Sequence, residues 1–404
     1  MNLIGPQYTF RRNLRDVPRA LTLASILSGL VVVIIGYTSP LIIVIQAANA
    51  AKLSPALTSS WVFAVAVGAG IGSLIMSLYF RQPLLGAWPT AGAALLVIAL
   101  PNYAYSDAIG AFLLVGVALT VIGLSGLFTR VMAVFPRPVV LGMLGGVLFR
   151  FGTGVFGALP DRPLLIVAML ATYFILQRLK YRTPTIGALV VGVIIAALSG
   201  DIHLQGFVPA LATPIFTAPT FTLQAALGIG LPLLTVNLVS QYAPGLAVLN
   251  VNGYKPPLDR ALIITGLLSI AFGVFGAHGI VLAAITAAIT AMPEAHPDPT
   301  KRYVAATANG VWYIAAGVFG ATAIALFAGL PSALIAAISG IALVPTLVTC
   351  ISGSMADPDG REGGLVALLC TAANVTFLGI GAAFWGLLAG IFVNALLTYN
   401  RKPQ

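Results

Sequence analysis

The sequence predicts an all-α polytopic membrane protein with 14 transmembrane segments in a 7+7 inverted repeat, and discontinuous half-helices at segments 3 and 10. Three observations predict it. Of 404 residues, 59% are hydrophobic and 7% charged, whereas an average soluble domain carries about 25% charged residues, most of which must face water. Apolar stretches recur along the whole chain, and a spanning helix needs about 20 such residues. Finally, if the N-terminus is cytoplasmic and 14 spans follow, 17 of the 20 basic residues fall on the cytoplasmic side. Only Lys52 and Arg162 fall opposite, and Arg150 lies inside a span. An omitted span would invert every later loop, so this bias supports the register of spans. It also places both termini in the cytoplasm.

The spans follow in order, each closed by polar or proline punctuation. They are read at 20–48, 56–80, 88–101, 106–134, 138–159, 163–179 and 184–200. A polar, Pro-rich connection runs from Asp201 to Pro219. The second set lies at 222–250, 258–275, 279–292, 302–329, 332–352, 363–379 and 381–399. Seven spans on each side of the connection give the halves opposite orientation, the condition for an inverted repeat. The first apolar stretch is too long for a signal-peptide core and reads as a retained span.

Composition also excludes. Little chain remains for a soluble catalytic domain. Cys350 and Cys370 lie in apolar surroundings, with neither a disulfide framework nor metal-ligand spacing, so no metal and no cofactor are expected. The net charge of +10 reads as topology in lipid rather than as affinity for nucleic acid. No metal-ligand helix motif and no Ser/His/Asp set converges at depth, so no enzyme is expected.

Two segments break the helical pattern at matching positions. Gln82–Gly92 and Phe275–Ile280 each place Pro or Gly before a short run of small residues. Irregular backbone at membrane depth is tolerated only against protein or a watery cavity. A half-helix beginning there exposes its first N–H groups and the positive end of its dipole, a seat for an anion. The first and eighth spans also echo each other: Gly36-Tyr-Thr-Ser-Pro40 resembles Ser240-Gln-Tyr-Ala-Pro244.

All ten acids fall in loops or at span ends, which argues against a buried-carboxylate sodium site or an acidic proton relay. Two ionisable groups remain at depth. His278, just before segment 10, is expected to rest neutral; a bound anion would favour its protonated form and so link anion to proton. The alternative is a histidine making structural hydrogen bonds. Arg150 either attracts the anion or snorkels to an interface. Glu294 and His296, in Glu294–Pro299, form either a gate or proton exit, or a solvated turn. The candidate pocket contains Tyr37, Thr38, Ser39, Trp88, Thr90, Asn237, Ser240, Gln241 and Tyr242. Hydroxyls and amides can bind a carboxylate, and aromatic walls suit a flat ligand; each is equally suited to helix–helix packing. Asn309, Asn374 and Asn394 read as interhelical hydrogen bonds.

Five motifs in order resemble the bacterial benzoate membrane transport family (BenE). They are Gly36–Ala48, Gly86–Ala94, Ser240–Leu249, Phe275–Thr286 and Pro293–Pro299. The family pattern often has Ser before Thr90, where Pro89 stands, and Asn where Tyr242 stands. The resemblance implies a proton-coupled importer of an aromatic carboxylate, benzoate above all, in the bacterial cytoplasmic (inner) membrane, with lipid around it. It implies the inverted-repeat fold shared with nucleobase permeases and sulfate-type anion transporters, in which relatives often form homodimers. A core domain would comprise 1–136 and 221–330, a gate domain 137–201 and 331–404, joined by 202–220. The carboxylate is then expected on the N–H groups of Thr90, Ala91 and Gly92 and of His278, Gly279 and Ile280, with the ring facing Tyr37, Trp88 or Tyr242. His278 and Glu294 are the expected proton-coupling residues. Competing readings are a permease for nucleobases or another small organic anion, and an uncoupled anion channel or exchanger.

Overall fold

A computed structural model describes residues 10–181, 184–202, 209–284 and 286–398, apart from the side chains of Thr38, Ser39, Ala133 and Ala328. Among the described residues, six helices are long and apolar enough to cross a membrane: Leu23–Ala50, Pro55–Phe80, Tyr105–Ser125, Arg137–Gly157, Leu223–Val251 and Ser332–Met355. Shorter apolar helices accompany them, including Thr90–Asn102, Pro163–Arg178, Pro184–Leu198 and Ala382–Thr398. Large apolar side chains such as Leu23, Leu124, Leu164 and Leu198 are exposed, as lipid-facing positions require. The protein is a helical, polytopic membrane protein.

The chain packs as two compact units. The first contains Met1–Phe135, Leu211–Gly320 and Leu378–Ile380. The second contains Pro136–Ala210, Ala321–Phe377 and Gly381–Gln404. The expected span at 302–329 is two helices, Tyr303–Val318 and Gly320–Ala328.

In the first unit, a short helix, Phe10–Ala20, precedes the first long one. Asn13 Nδ2 donates to the Leu78 carbonyl at 2.7 Å, and Arg81 binds Asn13 Oδ1 and Asp16. Thr22 caps the helix Leu23–Ala50 through a capping box with Ser25. Ser54 and Pro55 open Pro55–Phe80 as cap and first helical residue.

Glycines set how closely the long helices cross. A Cβ on Gly70 would stand 2.6 Å from the Gly310 carbonyl oxygen, and one on Gly310 2.7 Å from that of Gly70. The helices Tyr105–Ser125 and Leu258–Gly273 meet the same way: Cβ atoms on Gly116 and Gly266 would lie 3.0 and 2.8 Å from each other's oxygens. Small residues let membrane helices approach until dispersion and weak hydrogen bonds hold them.

Between these helices the backbone is not helical. Gly86–Ala87 and Val281–Leu282 form a two-stranded antiparallel pairing, Gly86 opposite Leu282 and Ala87 opposite Val281. Each strand also takes a serine from the preceding helix. Ser73 Oγ accepts the Gly86 N–H at 2.9 Å, and Ser269 Oγ accepts the Ile280 N–H at 2.9 Å. The exposed polar groups of broken backbone thus find protein partners, as low polarity demands. The helix Thr90–Ala99 follows the first strand. Its ten residues rise about 15 Å, half of a ~30 Å hydrocarbon core.

The second break corrects the expectation of a helix over 279–292. Ala277–Ala284 is not helical, with Val281–Leu282 a strand, and helix is confined to Ala287–Ala291. Gly276 and Gly279 have φ of +107° and +155°, values open to glycine and hostile to helix. The β-branched Ile280 and Val281 then suit a strand.

The helix Leu223–Val251 carries two π turns, Ala226–Gly230 and Leu238–Tyr242. Each ends two residues before a proline, Pro232 or Pro244. Proline donates no hydrogen bond and its ring crowds the carbonyl four residues back, so a wider turn just ahead of it relieves both problems. From Leu211 the connection is irregular and bound within the first unit: Ala212, Ile215, Thr217 and Thr220 N–H groups donate to Val318 O, Ser60 Oγ, Val274 O and Ser106 O.

The second unit uses the same close crossings. A Cβ on Gly142 would collide with the Gly364 carbonyl, and Ser354 Oγ donates to the Pro138 carbonyl at 3.0 Å. A cavity of about 520 Å³ in this unit is bordered by Asp161, Arg162, Asp201 and Ser332.

Candidate functional site

Four candidates of the first unit, Tyr37, Trp88, Asn237 and His278, lie around the start of the helix Thr90–Ala99. Pro89 precedes it, and the first intrahelical bond runs from the Ala93 N–H to the Pro89 carbonyl at 2.9 Å. The amides of Thr90, Ala91 and Gly92 stand ahead of that bond, so none has an intrahelical acceptor. A Cβ on Gly92 would lie 2.6 Å from Leu233 Cδ1. A Cβ on Gly279 would lie 3.3 Å from Asn237 Nδ2 and 3.5 Å from Pro89 Cγ. Leu233 and Asn237, one turn apart on one helix face, therefore look onto the two breaks together.

Asn237 is fully buried, and neither its Nδ2 nor its Oδ1 has a hydrogen-bond partner among the described residues. Orphaned polar atoms at this depth are costly, because they lose water and gain nothing. Both belong to one side chain, directly before a π turn, and such turns are frequent at functional sites.

His278 is also fully buried, and both ring nitrogens are engaged. The Trp61 indole N–H donates to Nδ1 at 3.0 Å, and Nε2 lies 3.3 Å from the Pro89 carbonyl. An indole N–H only donates and a carbonyl only accepts, so the ring is neutral with its proton on Nε2. Protonating Nδ1 requires breaking the bond to Trp61. The Trp61 ring packs edge-on against His278, 5.6 Å between centroids. Trp61 is absent from the sequence reading, because an indole in an apolar helix carries no signal that separates a hydrogen-bond donor from core.

The remaining candidates divide. Tyr37 and Trp88 pack together at 5.3 Å between ring centroids, and the Tyr37 hydroxyl donates to the Ala316 carbonyl at 3.0 Å. Gln241 is half-buried one turn beyond Asn237. Ser240 Oγ returns to its own helix at the Val236 carbonyl. Two expectations need correction. The hydroxyl of Tyr242 is held at 2.6 Å by Thr265 Oγ1, inside the packing with Leu258–Gly273. Thr265 Oγ1 also lies 2.7 Å from the Ala261 carbonyl; with that bond donated by Thr265, Tyr242 is the donor to it. The N–H of Ile280 is taken by Ser269, so it is not open to a ligand. The side chains of Thr38 and Ser39 lie outside the described residues. Arg150 is exposed on Arg137–Gly157 of the second unit.

Glu294 is exposed in the loop after Ala287–Ala291. His296 in the same loop is buried and accepts the Asp298 N–H at its Nδ1. The Thr300 hydroxyl and N–H, with Lys301 at 3.6 Å, hold the Asp298 carboxyl below the usual carboxylate range. A lowered carboxyl stabilises the loop fully above the ordinary value of about 4, and that contribution fades only as pH falls through the lowered value. Arg302, counted in the sequence among the cytoplasmic charges, is 7% exposed. Its Nε and Nη1 donate to the His296 and Ala291 carbonyls at 2.9 and 2.7 Å, closing the C-terminal end of the short helix. Arg302→Met is expected to destabilise the protein by about 2–3 kcal/mol, because two buried carbonyls lose charged donors; thermal unfolding in detergent measures it.

The family model described as benzoate membrane transport protein, BenE, matches residues 19–396. This chain belongs to the BenE family. It is 36% identical over 381 residues to the inner membrane protein YdcO of Escherichia coli (strain K12), covering 93% of this chain and 97% of that protein. It is 33% identical over 391 residues to a benzoate membrane transport protein of Acinetobacter baylyi (strain ATCC 33305 / BD413 / ADP1), covering 97% and 98% respectively. Its fold is similar to the transmembrane domain of the cyanobacterial bicarbonate transporter BicA, with TM-score 0.58 and 17% identity, over 98% of this chain and 99% of that one. It is also similar to murine Solute Carrier 26 family member A9, an anion transporter, with TM-score 0.59 and 14% identity over 96% of this chain and 70% of that one. A BenE-family membrane transporter of a small molecule, and no enzyme, accords with a buried site built of amides, aromatic rings and backbone.

Proposed function

We propose that this BenE-family protein imports an aromatic carboxylate, benzoate first, together with a proton. The observation that carries the proposal is the unpartnered amide of Asn237, buried beside Pro89 and Gly279 where the two backbone breaks meet. The N–H groups of Thr90, Ala91 and Gly92 supply further donors, and the paired rings of Tyr37 and Trp88 supply an aromatic surface. One proton with one monoanion makes the cycle electroneutral.

The 7+7 inverted repeat belongs to the same proposal. Matching devices support it: Ser73 and Ser269 each hold a strand, and the Gly70/Gly310 and Gly116/Gly266 crossings join helices at corresponding positions of the two halves. The first unit would be the core domain that carries substrate and the second the gate, working by alternating access with both termini in the cytoplasm.

One observation favours a second reading. An amide that both donates and accepts also complements the N–H and C=O edge of a nucleobase. Radiolabelled benzoate uptake into proteoliposomes under an inward proton gradient tests both, with protein-free vesicles alongside because benzoic acid crosses bilayers unaided. The proposal expects protein-dependent accumulation that collapses with an uncoupler and resists excess uracil. Uptake indifferent to the gradient overturns the coupling, and displacement by uracil favours the nucleobase reading.

A further inference from the structure

We infer that the substrate enters this site as the neutral carboxylic acid, so that its own carboxyl group carries the coupled proton. The inference rests on the aromatic-carboxylate reading above and names the carrier that reading leaves open. A carboxylate only accepts hydrogen bonds, whereas a carboxylic acid donates one through O–H and accepts at C=O. Asn237 presents both an unpartnered donor and an unpartnered acceptor. An anion would satisfy Nδ2 and turn its charge toward the lone pairs of Oδ1. The acid satisfies both atoms, and its carbonyl oxygen can also take an amide at the start of Thr90–Ala99.

Among the described buried side chains none offers a free countercharge, which leaves only the partial positive charge of the Thr90–Ala99 N-terminus. The buried described residues include no Asp, Glu or Lys. The buried Arg302 is bound to the Ala291 and His296 carbonyls. His278 faces the Trp61 indole, the Pro89 carbonyl and the Phe112 ring, and its hydrogen bonds fix it as neutral. Tyr105 packs on the far partner, Trp61. At pH 7 a carboxyl of ordinary pKa is protonated to about 1 part in 10³, a selection equivalent to about 4 kcal/mol. Burying a carboxylate without a cation beside it is the more costly course. In the cycle, the carboxylate gains a proton outside and its O–H bond forms. The acid binds, is released inside, and ionises there. One proton and one monoanion cross, and no protein group changes its protonation.

Competition against radiolabelled benzoate uptake in proteoliposomes tests this, from pH 6 to 8. Benzamide is neutral with a donor and an acceptor at every pH, and benzenesulfonate is an anion at every pH. The inference expects benzamide to inhibit with a constant Ki, benzenesulfonate to be at least tenfold weaker, and the apparent KM for total benzoate to rise about tenfold per pH unit. Competition by benzenesulfonate and not by benzamide overturns the inference and leaves benzoate transport standing. Absence of protein-dependent benzoate uptake overturns both.

Discussion

Replacing Asn237 with Leu is expected to abolish benzoate uptake while leaving the protein folded and close to the wild type in stability. Leucine keeps the branched skeleton of four heavy atoms but is bulkier, and overpacking of that kind costs about 1–3 kcal/mol. Two buried polar atoms without partners disappear, and removing such atoms relieves a desolvation cost of about 1–3 kcal/mol. A site built to hydrogen-bond its ligand nevertheless rejects a mismatch strongly. The expected loss in kcat/KM is at least about 100-fold, or ~2.7 kcal/mol of transition-state stabilisation. Measured on the same preparation, uptake should be lost while the melting temperature stays near that of the wild type. A fall in melting temperature with uptake reduced only in proportion to folded protein would make Asn237 a structural residue.

Gly310→Val should be strongly destabilising. The Gly70 carbonyl oxygen would stand 2.7 Å from the new Cβ, and the Leu74 side chain is equally close. Overpacking a core typically costs about 1–3 kcal/mol when side chains can adjust. Here the obstacle includes backbone of a facing helix, so a loss of at least ~3 kcal/mol and a poor folded yield are expected. Gly266→Val should behave alike, since Gly116 O lies 2.8 Å from its Cβ position. Gly154→Ala is the contrast. Nothing lies within 4 Å of that Cβ, and the substitution should stabilise the helix by about 0.5–1 kcal/mol. Equal melting temperatures for Gly310→Val and Gly154→Ala would contradict the close-crossing account.

Much of the helical framework was legible because apolar runs and their punctuation are local properties. Ser54-Pro55 and Pro163 mark helix starts by chemistry that needs no partner. The breaks near Pro89 and Gly279 were legible for the same reason, since proline and glycine act on their own backbone. What the breaks become was not. A strand of two residues is stabilised by its distant partner, and nothing near Gly86 in the chain announces Leu282. The helix expected at 279–292 failed on that long-range pairing. Phe10–Ala20 was hidden because its arginines read as topology. Arg302 also reads as a topology charge, because its role depends on carbonyls 6 and 11 residues away.

The partner of the Tyr242 hydroxyl is not legible in the sequence for a subtler reason. The π turn Leu238–Tyr242 rotates every later side chain relative to a regular helix, and it swings this phenol onto Thr265. Pro232 and Pro244 were the available signal, each two residues beyond a π turn. Trp61 had no signal at all, because its importance comes from His278, which lies 217 residues onward.

The central claim is that an aromatic carboxylate sits where Asn237, Pro89 and Gly279 meet. Anomalous scattering from crystals of the protein grown with 4-bromobenzoate tests it most directly. The account predicts a bromine peak beside Trp88 and Tyr37, with the carboxyl group within hydrogen-bond distance of the Asn237 amide. A peak in the cavity bordered by Arg162 and Asp201, with none near Asn237, would contradict it.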